Sequence, residues 1–313
     1  MNKTKGITLT ILSAIIFGFS FTLSPLTYGA GGSNPVTLTF LRSFMCLPVL
    51  FVVLKVKKIS FKITKKEAFN LFILGLIGTA VTTLILNTSF AYVDVGIATT
   101  IHFVYPIFVT IGCVLFFKEH LSMKKLLALI IATLGICCFF GIDVGSNSAN
   151  TPLGITFAIL SGITYAFYII FMDKSGLKNL NPFKTSFYVA VVVAFVIGIY
   201  GLTTKELTIS TLTTQSWILT FIISILCSLV AVSLLQVGIK HIGASTAAIL
   251  STFEPITGVV CGAILLGEEF TALKILACVL IFTGVGILVL SKDKEKIESS
   301  NKVINHKEAI SHH

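Results

Sequence analysis

Of the thirteen carboxylates in this 313-residue chain, twelve fall in loops, tails or at the ends of apolar runs, and Glu254 alone sits in the middle of one. It belongs to Ser251-Thr252-Phe253-Glu254-Pro255, halfway along an apolar stretch over 244–266. A charge at the centre of a bilayer costs about 2.5–3.5 kcal/mol, so such a residue must face a polar interior. There it contacts a cationic cargo group, carries a proton, or stays protonated as a structural hydrogen-bonding group. Pro255 removes a backbone hydrogen bond, and Pro106 does the same in an earlier apolar run, so both helices should kink or open near the midplane. The carbonyls this frees are binding groups if they border a cavity, and otherwise the kinks only fit curved helices together. His102 lies one turn before Pro106 on a face with Thr99 and Thr110, as a proton relay or as a hydrogen-bonded packing residue.

Around these stand further polar side chains at helical spacing. Ser13, Ser20 and Ser24 share a side of the first apolar run, and Thr79, Thr83 and Asn87 step by four along the third. Such stripes either glue helices together or line a shared cavity, to which Tyr105, Tyr165 and Tyr168 would add aromatic rings. Arg42 lies roughly 10 Å below the outer end of the second run, where it snorkels or faces the cavity. The sequence offers no paired intramembrane carboxylates, no nucleophile with a base and no metal-ligand spacing, which argues against a catalytic, cofactor or metal centre. The seven cysteines all lie inside apolar runs and read as small core residues.

The elements that must position these groups are membrane helices. With 55% hydrophobic and 12% charged residues and a mean hydropathy of +0.98, the chain has the composition of a polytopic membrane protein embedded in a lipid bilayer. Its net charge of +10 does not point to nucleic acid, because the basic residues lie between apolar runs or in the tails. Ten spans are predicted, over 7–27, 36–54, 68–91, 97–117, 123–141, 153–172, 183–202, 217–237, 244–266 and 272–290. At 1.5 Å per residue each is long enough to cross a hydrocarbon core of about 30 Å.

The ten spans are written as two sets of five. Pro106, Glu119, Ser122, Lys125 and Gly135 recur 149 residues later as Pro255, Glu268, Thr271, Lys274 and Gly284. Gly6-Ile7-Thr8 recurs at 148 as Gly154-Ile155-Thr156, so the first run is a retained span rather than a cleaved signal. An odd number of crossings per set turns the second upside down, giving an inverted repeat. The repeats are placed at 6–141 and 153–291, with a disordered tail over 292–313. Glu119 and Glu268 each precede a helix N-cap and read as structural joint residues near the positive end of the next helix. Spans five and ten carry small residues, including Gly135 and Gly284, suited to packing or to a homodimer.

The doubled pattern from Pro106 to Glu119 and from Glu254-Pro255 to Gly267-Glu268, each followed by a hydroxyl residue and a glycine-bearing helix, resembles the EamA domain of the drug/metabolite transporter superfamily. The likeness covers about residues 6–291 and includes Arg42 in Phe40-Leu41-Arg42. It implies an all-α integral membrane protein in which spans one to four and six to nine surround a central cavity, with five and ten at the periphery. It also implies a secondary transporter of a small-molecule substrate, either an exporter of an amino acid or related metabolite or a carrier of an organic cation. A membrane-embedded enzyme or a scaffold is the reading outside transport. Tyr105 stands where the second repeat has Glu254, and Lys118 where it has Gly267, so the half-sites differ chemically.

Lysine placement sets the orientation. With a cytoplasmic N-terminus, 20 lysines lie in inside segments or tails and only Lys205 and Lys274 lie outside, which predicts that both termini face the cytoplasm. A reporter fused after Asn147 should then signal from outside and one fused after Lys292 from inside. An external signal from the second would reverse the assignment.

Overall fold

The apolar runs become helices whose ends are set by local capping. The computed structural model describes residues 2–28, 32–93, 95–140, 151–267, 269 and 271–290. Among them, nine helices are long and apolar enough to cross a membrane: Lys3–Thr27, Pro35–Val56, Lys65–Ser89, Ile97–Phe117, Thr151–Lys174, Pro182–Thr203, Thr214–Ile242, Ala244–Leu265 and Ala272–Leu290. Met123–Phe140 is helical as well and supplies the fifth span, for ten in all. Asn34 accepts a hydrogen bond from the Thr37 N–H at 2.7 Å and Asn181 from the Phe183 N–H at 3.0 Å, each before a proline that opens the helix. Thr64 and Glu67 close a capping box at the start of span three. Gly243 alone joins spans eight and nine, at φ 79°, where a side chain would be strained.

The halves interlock rather than sit side by side. Span one packs on spans eight and nine, span six packs on spans three and four, and spans two and seven pack on each other. Exchanging the repeats maps the first pairing onto the second and the third onto itself, as a pseudo-two-fold axis in the membrane plane requires. The seam between spans five and ten shows this residue by residue. A Cβ on Gly135 would lie 2.9 Å from the Ala277 carbonyl and 2.7 Å from Ile281, and one on Gly284 would lie 2.8 Å from the Ala128 carbonyl and 3.0 Å from the Ala132 nitrogen. Adding 149 to Gly135 gives Gly284, and subtracting it from Ala277 and Ile281 gives Ala128 and Ala132. These glycine faces are therefore used within the chain, as close-packing surfaces between its two halves.

Four spans depart from regular α-helix, in two repeat-related pairs. Spans four and nine are interrupted, the one between Val95–His102 and Tyr105–Phe117, the other between Ala244–Leu250 and Phe253–Leu266. Each resumes with Pro106 or Pro255 in its first turn. Spans three and eight contain π-helical segments, Leu76–Val81 and Ser224–Ala231, whose starts are 148 residues apart. The Thr82 hydroxyl oxygen lies 3.1 Å from the Ile77 carbonyl that the wider turn opens.

At the joint after span four, Glu119 pairs with Lys125 at 2.5 Å, and Ser122 accepts from the Lys125 N–H at 3.3 Å. The carboxylate thus reaches the next helix's first turn through a lysine side chain. Glu268 lies outside the described residues, as do residues 292–313; Thr271 accepts from the Lys274 N–H at 3.3 Å, as Ser122 does for Lys125. Because the two glycine contacts are equivalent by symmetry, Gly135→Val and Gly284→Val should destabilise to a similar degree, by about 1–3 kcal/mol from overpacking. Unfolding midpoints in detergent would check this, and a silent Gly284→Val beside a costly Gly135→Val would break the equivalence.

Candidate functional site

The interruption in span nine is closed by short-range bonds. The Thr252 hydroxyl donates to the Ile249 carbonyl at 2.7 Å, and the Glu254 N–H donates to the Ser251 carbonyl at 2.9 Å. Ser251 is the residue one turn before Pro255, so the carbonyl that the proline was expected to free is taken up again by the residue beside it. Glu254 is left in the first turn of Phe253–Leu266, at the positive end of that helix, with its side chain buried and its Oε1 without a protein partner. Span one makes this geometry possible. A Cβ on Gly18 would sit 2.3 Å from the Glu254 carbonyl and 2.7 Å from Thr257, so only glycine lets the two helices cross here.

Span four supplies the facing group. His102 Nδ1 lies 2.9 Å from Ser161 Oγ, and the Ser161 hydroxyl proton is committed to the Ala158 carbonyl at 2.7 Å. Nδ1–H is therefore the donor in this pair, and Nε2 is the nitrogen left to accept. The ring is packed 5.4 Å from Tyr165 and 6.0 Å from Tyr105. Tyr105 meets Tyr165 edge to face at 4.7 Å, and Tyr165 stacks on Tyr168 at 5.8 Å. Gly78, in the π-helical turn of span three, gives Tyr168 its room, since a Cβ there would lie 2.9 Å from the tyrosine's own. Tyr105 and Tyr165 are within electrostatic reach of Glu254, and the buried Tyr105 hydroxyl has the Ser251 hydroxyl as its neighbour, neither with a further protein partner.

Arg42 faces inward. Its Nη1 contacts Cys227 Sγ at 3.4 Å, its carbonyl accepts from the Ser224 hydroxyl at 2.6 Å, and its Nε is buried without a partner. Cys227 is itself within electrostatic reach of Glu254 and of both Tyr165 and Tyr168. Arg42 and Cys227 thus form a contact pair near Glu254 and the tyrosine rings. Cys227 had no signal of its own in the sequence beyond its place among Ser224 and Ser228 on span eight.

The hydroxyl stripes resolve mostly into packing. Ser13 donates across to the Ala231 carbonyl at 2.7 Å, Thr82 to Thr164 at 2.8 Å, and Ser20 back to Ile16 of its own helix at 2.8 Å. Asn87 keeps a buried Nδ2 without a partner. Among the described residues, no hydrogen bond or ring contact ties Ser20 or Asn87 to the cluster around Glu254. Nor do the described residues contain a metal-binding group of histidine, cysteine or carboxylate side chains. What the site presents is one carboxyl acceptor at Glu254, a buried Tyr105–Ser251 hydroxyl pair without a further partner beside the aromatic rings, and the unsatisfied Nε–H of Arg42. Buried polar atoms are almost always paired, so a concentration of orphans marks a place for a polar guest or water.

Comparison with known proteins follows the same lines. A crystal structure of a protein only 14% identical superposes with a TM-score of 0.80, over 92% of this chain and 98% of the other, and shares its fold. An uncharacterized transporter of Archaeoglobus fulgidus is 29% identical over 171 residues, and uncharacterized transporter sll1319 of Synechocystis is 26% identical over 208. Those alignments cover 55% and 66% of this chain and span 58% and 63% of the two relatives' lengths. Uncharacterized transporter YdfC of Bacillus subtilis is 25% identical over 307 residues, 96% of this chain and 95% of its own. The model of the EamA-like transporter family matches residues 4–141 and again 152–290, one match for each half, and the chain belongs to that family, within the drug/metabolite transporter superfamily.

Proposed function

We propose that the protein is a secondary transporter that exports an amino acid or a related small metabolite across the cytoplasmic membrane by alternating access, with both termini inside. The observation that carries this reading is the buried, unpartnered Oε1 of Glu254, set beside the buried Tyr105–Ser251 hydroxyl pair where span nine is broken. A cargo ammonium group bonded to Glu254 would fill that vacancy, and the orphaned Nε–H of Arg42 would take a cargo carboxylate. The lysine distribution supports the orientation. His102, Tyr165 and Tyr168 wall the site; Pro106 and Pro255 open the two helices that carry it. A second reading, an organic cation without a carboxylate, draws on the rings of Tyr105, Tyr165 and Tyr168, which suit a quaternary ammonium.

Glu254→Gln keeps shape and one hydrogen-bonding oxygen while removing the charge. In proteoliposomes, a charge-contact role predicts at least a tenfold fall in transport of a zwitterionic or cationic cargo with folding intact, the scale of about 1.4 kcal/mol or more for a buried charged bond. A proton role predicts instead that exchange of preloaded cargo survives while pH-driven transport is lost. Parental transport by the variant across pH 5 to 8 would reduce Glu254 to a packing group. Arg42→Gln separates the two cargo classes: amino acid transport should fall and quaternary amine transport should persist.

A further inference from the structure

Away from the central cluster, the joint between spans four and five poses a question that packing does not answer. Each repeat ends its fourth span in left-handed backbone, at Gly267 with φ 69° in the second and at Lys118 with φ 50° in the first. Glycine adopts this conformation freely, whereas a lysine there crowds its own Cβ. The backbone work of Lys118, an N–H donated to the Val114 carbonyl at 3.1 Å, is work a glycine does equally well. A lysine on a backbone shaped for glycine directs attention to its side chain.

From this joint a groove of about 460 Å³ runs between spans four and five, lined by Ile107, Ile111, Val114, Leu121, Leu126 and Leu129 among others. Two threonines in its wall, Thr110 and Thr133, give their hydroxyl protons to carbonyls of their own helices, Pro106 and Leu129, each at 2.8 Å. The wall therefore offers hydrocarbon. Its rim residues Ile111, Leu115, Ile130 and Leu134 are exposed, so the groove is open along its length to the bilayer. The chain on either side of Leu121 is basic: Lys118 and His120 are exposed in the connector and Lys124 in the first turn of the next helix, while neighbouring Lys125 is paired with Glu119 and Lys174 with Asp173. A hydrocarbon slot with unpaired cations at one end matches an amphiphile with an anionic head. In the proposed orientation that end lies at the cytoplasmic leaflet, where such lipids lend themselves to recognition by basic clusters.

We propose that the groove holds an acyl chain of an anionic phospholipid whose phosphate is bound by Lys118 and Lys124. The deep end of the groove reaches Ile107, the residue after Pro106, so the bound chain lies against the start of the resumed helix of span four. The test is the thermal unfolding midpoint of the purified full-length protein in detergent, with added phosphatidylglycerol, phosphatidylcholine or glycerol phosphate. Phosphatidylglycerol should raise the midpoint by about 3 °C or more and the other two should not. Lys118→Gly, which copies the second repeat, should unfold no earlier than the parent without lipid, yet lose at least half of the phosphatidylglycerol shift. Lys124→Gln, in ordinary helical backbone, should lose a similar part and decides the matter should Lys118→Gly not fold. Equal shifts with both lipids, a shift with glycerol phosphate alone, or a full phosphatidylglycerol shift in both variants would overturn the proposal.

Discussion

Within a bilayer no water stands ready to satisfy an exposed N–H or carbonyl, and everything unusual in this structure is arranged around that constraint. The irregular backbone of spans four and nine, and of the π-helical turns in three and eight, faces helices of the opposite half rather than lipid. Glycines make the enclosure tight. Gly18 lies against the Glu254 carbonyl, Gly162 against the His102 carbonyl, where a Cβ would stand 3.2 Å away, and Gly78 against Tyr168. Spans one and six thus act as covers for the broken segments, each backing the interrupted span of the other repeat. An unpaired backbone group at this depth costs several kcal/mol, so the polar cluster persists because protein, not lipid, surrounds it.

The span count and the positions of the two breaks were legible in the sequence, because each leaves a direct mark: an apolar run of the right length and a proline inside the run. The repeat offset marked Gly135 and Gly284 as equivalent small residues but left open whether they pack within the chain or in a homodimer, and in the structure each packs on the other's helix. Other features were hidden for physical reasons. A π-helical turn changes hydrogen-bond register without changing composition, and so Leu76–Val81 and Ser224–Ala231 look like ordinary helix in the sequence. A serine stripe has the same spacing whether it bonds a guest or a neighbouring carbonyl, and Ser13 turned out to bond Ala231. The Ser251 carbonyl was expected to stand free, but the chain tightens at the break and the Glu254 N–H takes it. Cys227 gained its place only from three-dimensional proximity to Arg42, which no spacing along one helix encodes.

The two half-sites occupy equivalent positions and differ in chemistry. At the 149-residue offset, Tyr105 corresponds to Glu254 and His102 to Ser251, so one broken helix contributes a phenol and an imidazole where the other contributes a carboxylate and a hydroxyl. In an inverted repeat, the conformations open to either side arise when the halves exchange their local arrangements around a fixed site. A chemically symmetric site would then greet a guest identically from both sides. Here the carboxylate belongs to the second repeat alone, so the exchange that the proposed alternating access requires would alter the surroundings of Glu254 while its neighbours in the first repeat underwent the complementary change. Under the alternating access proposed above, a guest or proton bound there would experience two distinct states, and only a difference in affinity between states lets binding shift a conformational equilibrium. The loss of chemical symmetry at Tyr105 and Glu254, on a scaffold that otherwise keeps it, is therefore the feature through which binding at this cluster can be coupled to direction.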